Sequence, residues 1–154
     1  MKDGRRLKRI PKLSLFIIIT PLLIWLLTVA FQTKEPITKE QAIKLAEQFI
    51  VDNGYTNLPA DKSKISYELF DQFEKSVDSI ASRRHNTIQV KAFCISEDND
   101  RWHIGFLSTG VDLTKLDSIQ RKKNLPGRAV IVMKDGKEIS IAHKDPMFSH
   151  FEKL

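Results

Sequence analysis

The chain has 154 residues, 42% of them hydrophobic and 29% charged, with a formal net charge of +6 and a single cysteine, Cys94. One cysteine excludes an internal disulfide framework, so the fold must be held by packing. Six bases and one acid in residues 1–33 account for five of the six net charges, leaving +1 on residues 34–154. Phosphate recognition needs a concentrated basic face, so no nucleic-acid partner is expected of that part.

Residues 1–12 form a basic tail, and no charge appears from Leu13 to Thr33. Charged groups are costly in hydrocarbon and backbone amides there must bond internally, so this run predicts a membrane-crossing helix. The apolar stretch Leu13–Phe31 is 19 residues long, close to the roughly 20 a bilayer requires and longer than a signal-peptide core of about 7–15. The bases before it predict a cytoplasmic N-terminus and an extracytoplasmic C-terminal part. The expected organisation is a tail at 1–12, a single-pass anchor at 13–33 and an extracytoplasmic domain at 34–154. The alternative is a signal peptide cleaved near Thr28-Val29-Ala30, releasing a secreted domain. The linker, Gln32 to Ile37, is short and keeps the domain close to the membrane.

Thr38 with Gln41 three residues on forms a capping-box pattern and opens a helix. Ala42, Leu45, Ala46, Phe49 and Ile50 recur on its apolar face, and Gly54 suits its left-handed end. The alternation in Ile65–Phe70 predicts a short strand. Phe70, Phe73, Val77 and Ile80 suggest a second helix over roughly 71–84, closed by Arg83-Arg84-His85, bases that complement the helix dipole. Ile88–Ser96 and Arg101–Thr109 flank a polar turn and read as a hairpin. Arg128–Lys134 and Lys137–Lys144 flank Asp135-Gly136 and read as another. Between the hairpins, Gly110–Gly127 is a long polar connection with room for a short helix.

Helices first and an antiparallel sheet after them predict an α+β domain with a helix packed on the sheet. Three segments carry a resemblance: the opening helix Thr38-Lys-Glu-Gln-Ala-Ile-Lys-Leu-Ala-Glu-Gln, the tryptophan strand Asp100-Arg-Trp-His-Ile-Gly-Phe-Leu, and the closing Gly127-Arg-Ala-Val-Ile-Val-Met-Lys-Asp-Gly-Lys-Glu-Ile. Together they resemble the cystatin-like and nuclear-transport-factor-2-like group, and within it small bacterial domains of immunity-protein type. The opening helix is also similar to peptidase-inhibitory propeptide-like domains. The resemblance implies a curved antiparallel sheet with the helix across it.

The chemistry-bearing residues are few. Cys94 alternates with Ile88, Val90 and Ala92, as a buried small hydrophobe would. No family signature of a nucleophile surrounds it. His85, His103, His143 and His150 show no metal-ligand spacing, and the acids at Glu97, Asp98, Asp100, Asp112 and Asp117 sit in turns. No catalytic residue, metal or cofactor is expected. Trp102 alternates with Ile104 and Phe106, as a core aromatic under the first helix or as the wall of a pocket. His103 alternates away from it, and His143 ends a core-facing row with Ile139 and Ile141. Lys91, Arg101 and His103, with Gln89, are the candidates for a polar binding surface on the sheet face away from the helix. The expected function is membrane-anchored, non-enzymatic protein binding on the extracytoplasmic side, of immunity type or as an envelope accessory. The alternative is a small-ligand-binding or enzymatic domain with a pocket between helix and sheet.

Overall fold

A computed structural model describes residues 35–117, 125–142 and 150–154. The chain falls into two units, Met1–Glu35 and Pro36–Leu154, and all the described elements belong to the second. The anchor expected at 13–33 and His143 lie outside the described residues. Among those described, no helix is long and apolar enough to cross a membrane.

The domain is α+β: among the described residues, two helices and five antiparallel strands in an open sheet. Helix α1 spans Lys39–Asp52 and α2 spans Val77–Arg84. Strands β1 (Cys94–Glu97), β2 (Arg101–Leu107), β3 (Gly127–Met133), β4 (Ile139–Ile141) and β5 (Glu152–Lys153) lie in the order β4-β3-β2-β1-β5.

Helix α1 begins as its sequence dictates. The Thr38 hydroxyl accepts the Gln41 amide and the Gln41 side chain accepts the Thr38 amide, satisfying two donors that a helix start leaves free. It stops at Asn53, followed by Gly54 at φ +80°. Ala42, Ala46 and Ile50 are buried, with Leu45 and Phe49 packed beside them. They meet Ile88, Ile95, Ile104, Phe106, Val130, Val132 and Ile141 from the sheet. The small alanines let α1 lie close across β2 and β3. Trp102 packs on the edge of this core, and its indole N–H donates to the Ile37 carbonyl at 3.3 Å. The opposite face of the sheet carries a second cluster, Cys94, Leu107 and Leu125, flanked by Phe93, Val111, Leu113, Leu116 and Phe151.

The second hairpin forms around Gly136 at φ +71°, but with a wider loop than two residues. Met133 and Glu138 close it, and the Gly136 amide donates back to Met133. Asp135 stays at negative φ, so the turn is not the mirror-image form that Asp-Gly permits.

Three expectations are corrected. Residues 65–70 are not a strand: they run irregularly into a single 3₁₀ turn, Leu69–Asp71. The second helix starts only at Val77, capped by the Ser76 hydroxyl, which accepts the Ser79 amide. Phe70 and Phe73 are therefore outside it, and both are exposed. The strand expected over 88–96 exists only as the Ile88–Ser108 bridge and then as Cys94–Glu97. Six steps from Ile88 to Cys94 are matched by three from Ser108 to Gly105. The excursion at 89–93 reverses the side on which later residues face. Cys94 consequently belongs to the second cluster while Ile88 and Ala92 remain with the first. The long connection holds one 3₁₀ turn, Leu113–Lys115, and residues 118–124 of it lie outside the described residues.

Candidate functional site

The residues expected to form a polar surface are only partly brought together. Arg101 and His103 share a face of β2 by alternation. Arg101 is occupied by its neighbour Asp100 at 2.9 Å. His103 Nε2 lies 3.3 Å from Asp98, and its ring meets Phe151 edge to face. Lys91 does not join them: it sits in the excursion before β1 and pairs with Glu47 of α1 at 3.0 Å. Gln89 is taken up by the Ser108 and Val111 carbonyls. Trp102 lies on the helix side, with the Lys134 ammonium 5.4 Å from its ring centroid.

Cys94 is buried, and burial pushes its thiol up to about 12. A nucleophilic cysteine needs the opposite shift. Among the described residues no group of three or more His, Cys, Asp or Glu is placed to hold a metal ion.

A site that the sequence reading missed lies at the other end of α1. Asp71 and Arg84 are both buried and form an ion pair. Asp71 also pairs with Arg83 and accepts the Glu68 amide, which fixes the 3₁₀ turn. Arg84 donates to the Ser66 carbonyl at 2.9 Å and to Asn53, and stacks over the Tyr55 ring at 4.8 Å. Asn53 accepts both the amide and the hydroxyl of Ser66. The Tyr55 hydroxyl donates to Glu68 at 2.7 Å. Burial, with Glu68 as acceptor, raises the phenol well above its ordinary range, so it remains a donor at neutral pH.

This network inverts the polarity of the segment it holds. The buried Asp71, the half-buried Glu68 and the more exposed Ser66 are bonded to polar partners, and the apolar residues beside them turn out. Tyr67 is 62% exposed, Leu69 67%, Phe70 47% and Phe73 84%. A segment pinned at three polar residues and presenting four large apolar side chains is what a docking epitope requires. Ordering is already done, and aromatic contact area is available. Phe70 carries the Arg128 guanidinium, 5.6 Å from its ring centroid. Beside it, Tyr55, Glu68, Arg83, Arg84, Thr87 and Arg128 border a cavity of about 90 Å³. The sequence feature that belongs to it is Arg83-Arg84 itself, which by sequence reads as bases complementing the helix dipole.

No protein-family model matches this chain, and neither does any curated protein or solved structure.

Proposed function

We propose that this chain is a membrane-anchored, non-enzymatic protein-binding module whose α+β domain faces the extracytoplasmic side. In this reading it docks its partner through Tyr67, Leu69, Phe70 and Phe73. The observation that carries the reading is the exposure of these four residues on a segment held by a buried ion pair and part-buried hydrogen bonds. Large apolar side chains are seldom offered together to water without a partner.

A protein occupant is favoured by the chemistry beside the segment. The linker enters at Ile37, which is bonded to Lys134 and Trp102. The aromatic segment is bonded to Asn53 and Tyr55, beyond the other end of α1. Fourteen helical residues separate the two ends, about 20 Å at 1.5 Å per residue. The epitope and Ile37 thus lie at opposite ends of α1. Arg83 and Arg128 beside Phe70 favour a partner whose apolar patch carries an acidic residue. An immunity-type or envelope-accessory role, within a cystatin-like or nuclear-transport-factor-2-like class, is consistent with the helix lying across an antiparallel sheet.

The test is affinity purification of the full-length protein in mild detergent, alongside a Leu69→Ser/Phe73→Ser variant of unchanged melting temperature. One near-stoichiometric protein, retained by the wild type and lost by the variant, is expected. Equal recovery by both proteins sinks the reading. So does a self-association that the variant abolishes, which would make the occupant a second copy. Vesicle binding that depends on Phe73 would instead assign the epitope to lipid.

A further inference from the structure

Three arginines converge at the end of the sheet far from Ile37. Arg83 and Arg84 come from the last turn of α2 and Arg128 from the start of β3, and all three border the cavity beside Phe70. Their acids do not exhaust them. Asp71 binds one nitrogen of each of Arg83 and Arg84, and Glu74 takes Arg83 Nε at 3.1 Å. Glu68 lies 3.3 Å from Arg84 while accepting the Tyr55 hydroxyl. Arg128 has no acidic partner among the described residues; its one contact of this kind is the Phe70 ring. Arg84 Nε is a buried donor without an acceptor among the described residues, and such donors are rare in folded proteins. Glu68, Asp71 and Glu74 match the three guanidinium groups in number, but only Glu68 lines the cavity, and Arg128 is paired with none of them.

The cavity is far smaller than the roughly 300–1,000 Å³ of sites that enclose whole cofactors or sugars. It suits a single small anionic group. A guanidinium fork matches the two oxygens of a carboxylate. We propose that this cavity is a carboxylate-binding site, with Arg128 the principal ligand and Arg84 its buried backing. The proposal stands apart from the docking reading. The carboxylate of a free organic acid and that of an acidic side chain on a docked protein present the same pair of oxygens.

The test is titration of acetate into the full-length, isotope-labelled protein in detergent micelles, with ionic strength held constant by sodium chloride. Saturable shifts of the Thr87, Arg84 and Arg128 resonances are expected. Arg128→Gln should weaken them about tenfold, the loss of one charge-assisted bond. Arg128→Lys should weaken them as well, since it keeps the charge without the fork. Arg83→Gln supplies a second lesion on another element, and thermal melting confirms that each variant is folded. A non-saturating drift overturns the site, as do curves identical in wild type and Arg128→Gln. Saturation by phosphate but not by acetate overturns it equally. The tripeptide acetyl-Leu-Asp-Leu-amide separates the two sources. Binding tighter than acetate that falls in Phe73→Ser identifies a docked side chain, and affinity no better than acetate identifies a free acid. If acetate binds while Phe73 proves irrelevant to any partner, the docking reading fails and the carboxylate site stands.

Discussion

Asp71 and Arg84 are paired in the interior, the aspartate 1% exposed and the arginine 3% exposed. Together with the Arg83 pairs to Asp71 and Glu74 and the Arg84 bond to Ser66, this contact ties the irregular segment 65–74 to the last turn of α2. Removing one member of a buried pair leaves the other charge without compensation, at a cost of about 3–5 kcal/mol. Asp71→Ala should lower the urea midpoint accordingly, and a double Asp71→Leu/Arg84→Met variant should recover much of the loss. Chymotrypsin provides a local readout: cleavage at Tyr67, Phe70 and Phe73 should accelerate in Asp71→Ala before global unfolding does.

Glu47 and Lys91 form a pair whose two halves should behave differently. The Lys91 side chain is largely in water, where such pairs contribute little. Glu47 also accepts the half-buried Ala92 amide at 3.2 Å. Lys91→Ala should change stability by less than about 0.5 kcal/mol. Glu47→Ala should cost about 1 kcal/mol or more, because it orphans a backbone donor. Denaturant titration of the two variants measures the difference directly.

Gly136 holds φ +71°, and a Cβ there would lie 3.1 Å from the Ile37 methyl. Gly136→Ala should cost about 1–2 kcal/mol from the backbone alone. The push on Ile37 should also disturb its bond to Trp102, visible as a change in tryptophan fluorescence. A Gly110→Ala control, where a Cβ meets nothing within 4 Å, should leave fluorescence as it is.

Cys94 has an alkaline signature. Burial raises its thiol from the ordinary 9.0 to about 12, so the folded state keeps the proton that the unfolded chain loses first. The stability tied to this group is intact below pH about 9 and is lost as pH rises toward 12. Cys94→Ala should flatten the fall in melting temperature across that window. Thiol reagents at pH 8 should label the wild type only once it is unfolded in urea.

Much of the fold was legible because local signals agreed with the global arrangement. The Thr38–Gln41 capping box, the spacing of Ala42, Ala46 and Ile50, and the turns around Asn99 and Gly136 each specify their element without outside help. Trp102 fell on the helix side by simple alternation. Alternation misled where the partner of a residue is distant. In Ile65–Phe70 the pattern is that of a strand, yet after the buried Ile65 the apolar positions Tyr67 and Leu69 are exposed and the polar ones are the bonded ones. Ser66, Glu68 and Asp71 find Asn53, Tyr55 and Arg84, and nothing within the segment announces those partners. Cys94 was assigned to the wrong face for the same reason, since an excursion breaks the count of two. Strand β5 is two charged residues, Glu152 and Lys153, paired with Ile95 and Cys94, and carries no strand signal of its own.

The excursion at 89–93 also decides where this chain can change length. Its two flanking pairs, Ile88 with Ser108 and Cys94 with Gly105, fix the register on either side independently. Adding or removing one residue between them costs only contacts of the excursion itself, such as the Glu47 bond to Ala92, while Cys94 and Ile95 keep their opposite faces. The same change inside Cys94–Glu97 would slide Ile95 out of the main core and expose the second cluster. Length polymorphism along this sheet is therefore tolerable at the excursion and excluded a few residues later. A library of single-residue deletions from 89 to 97 should show that boundary as a sharp step in soluble yield.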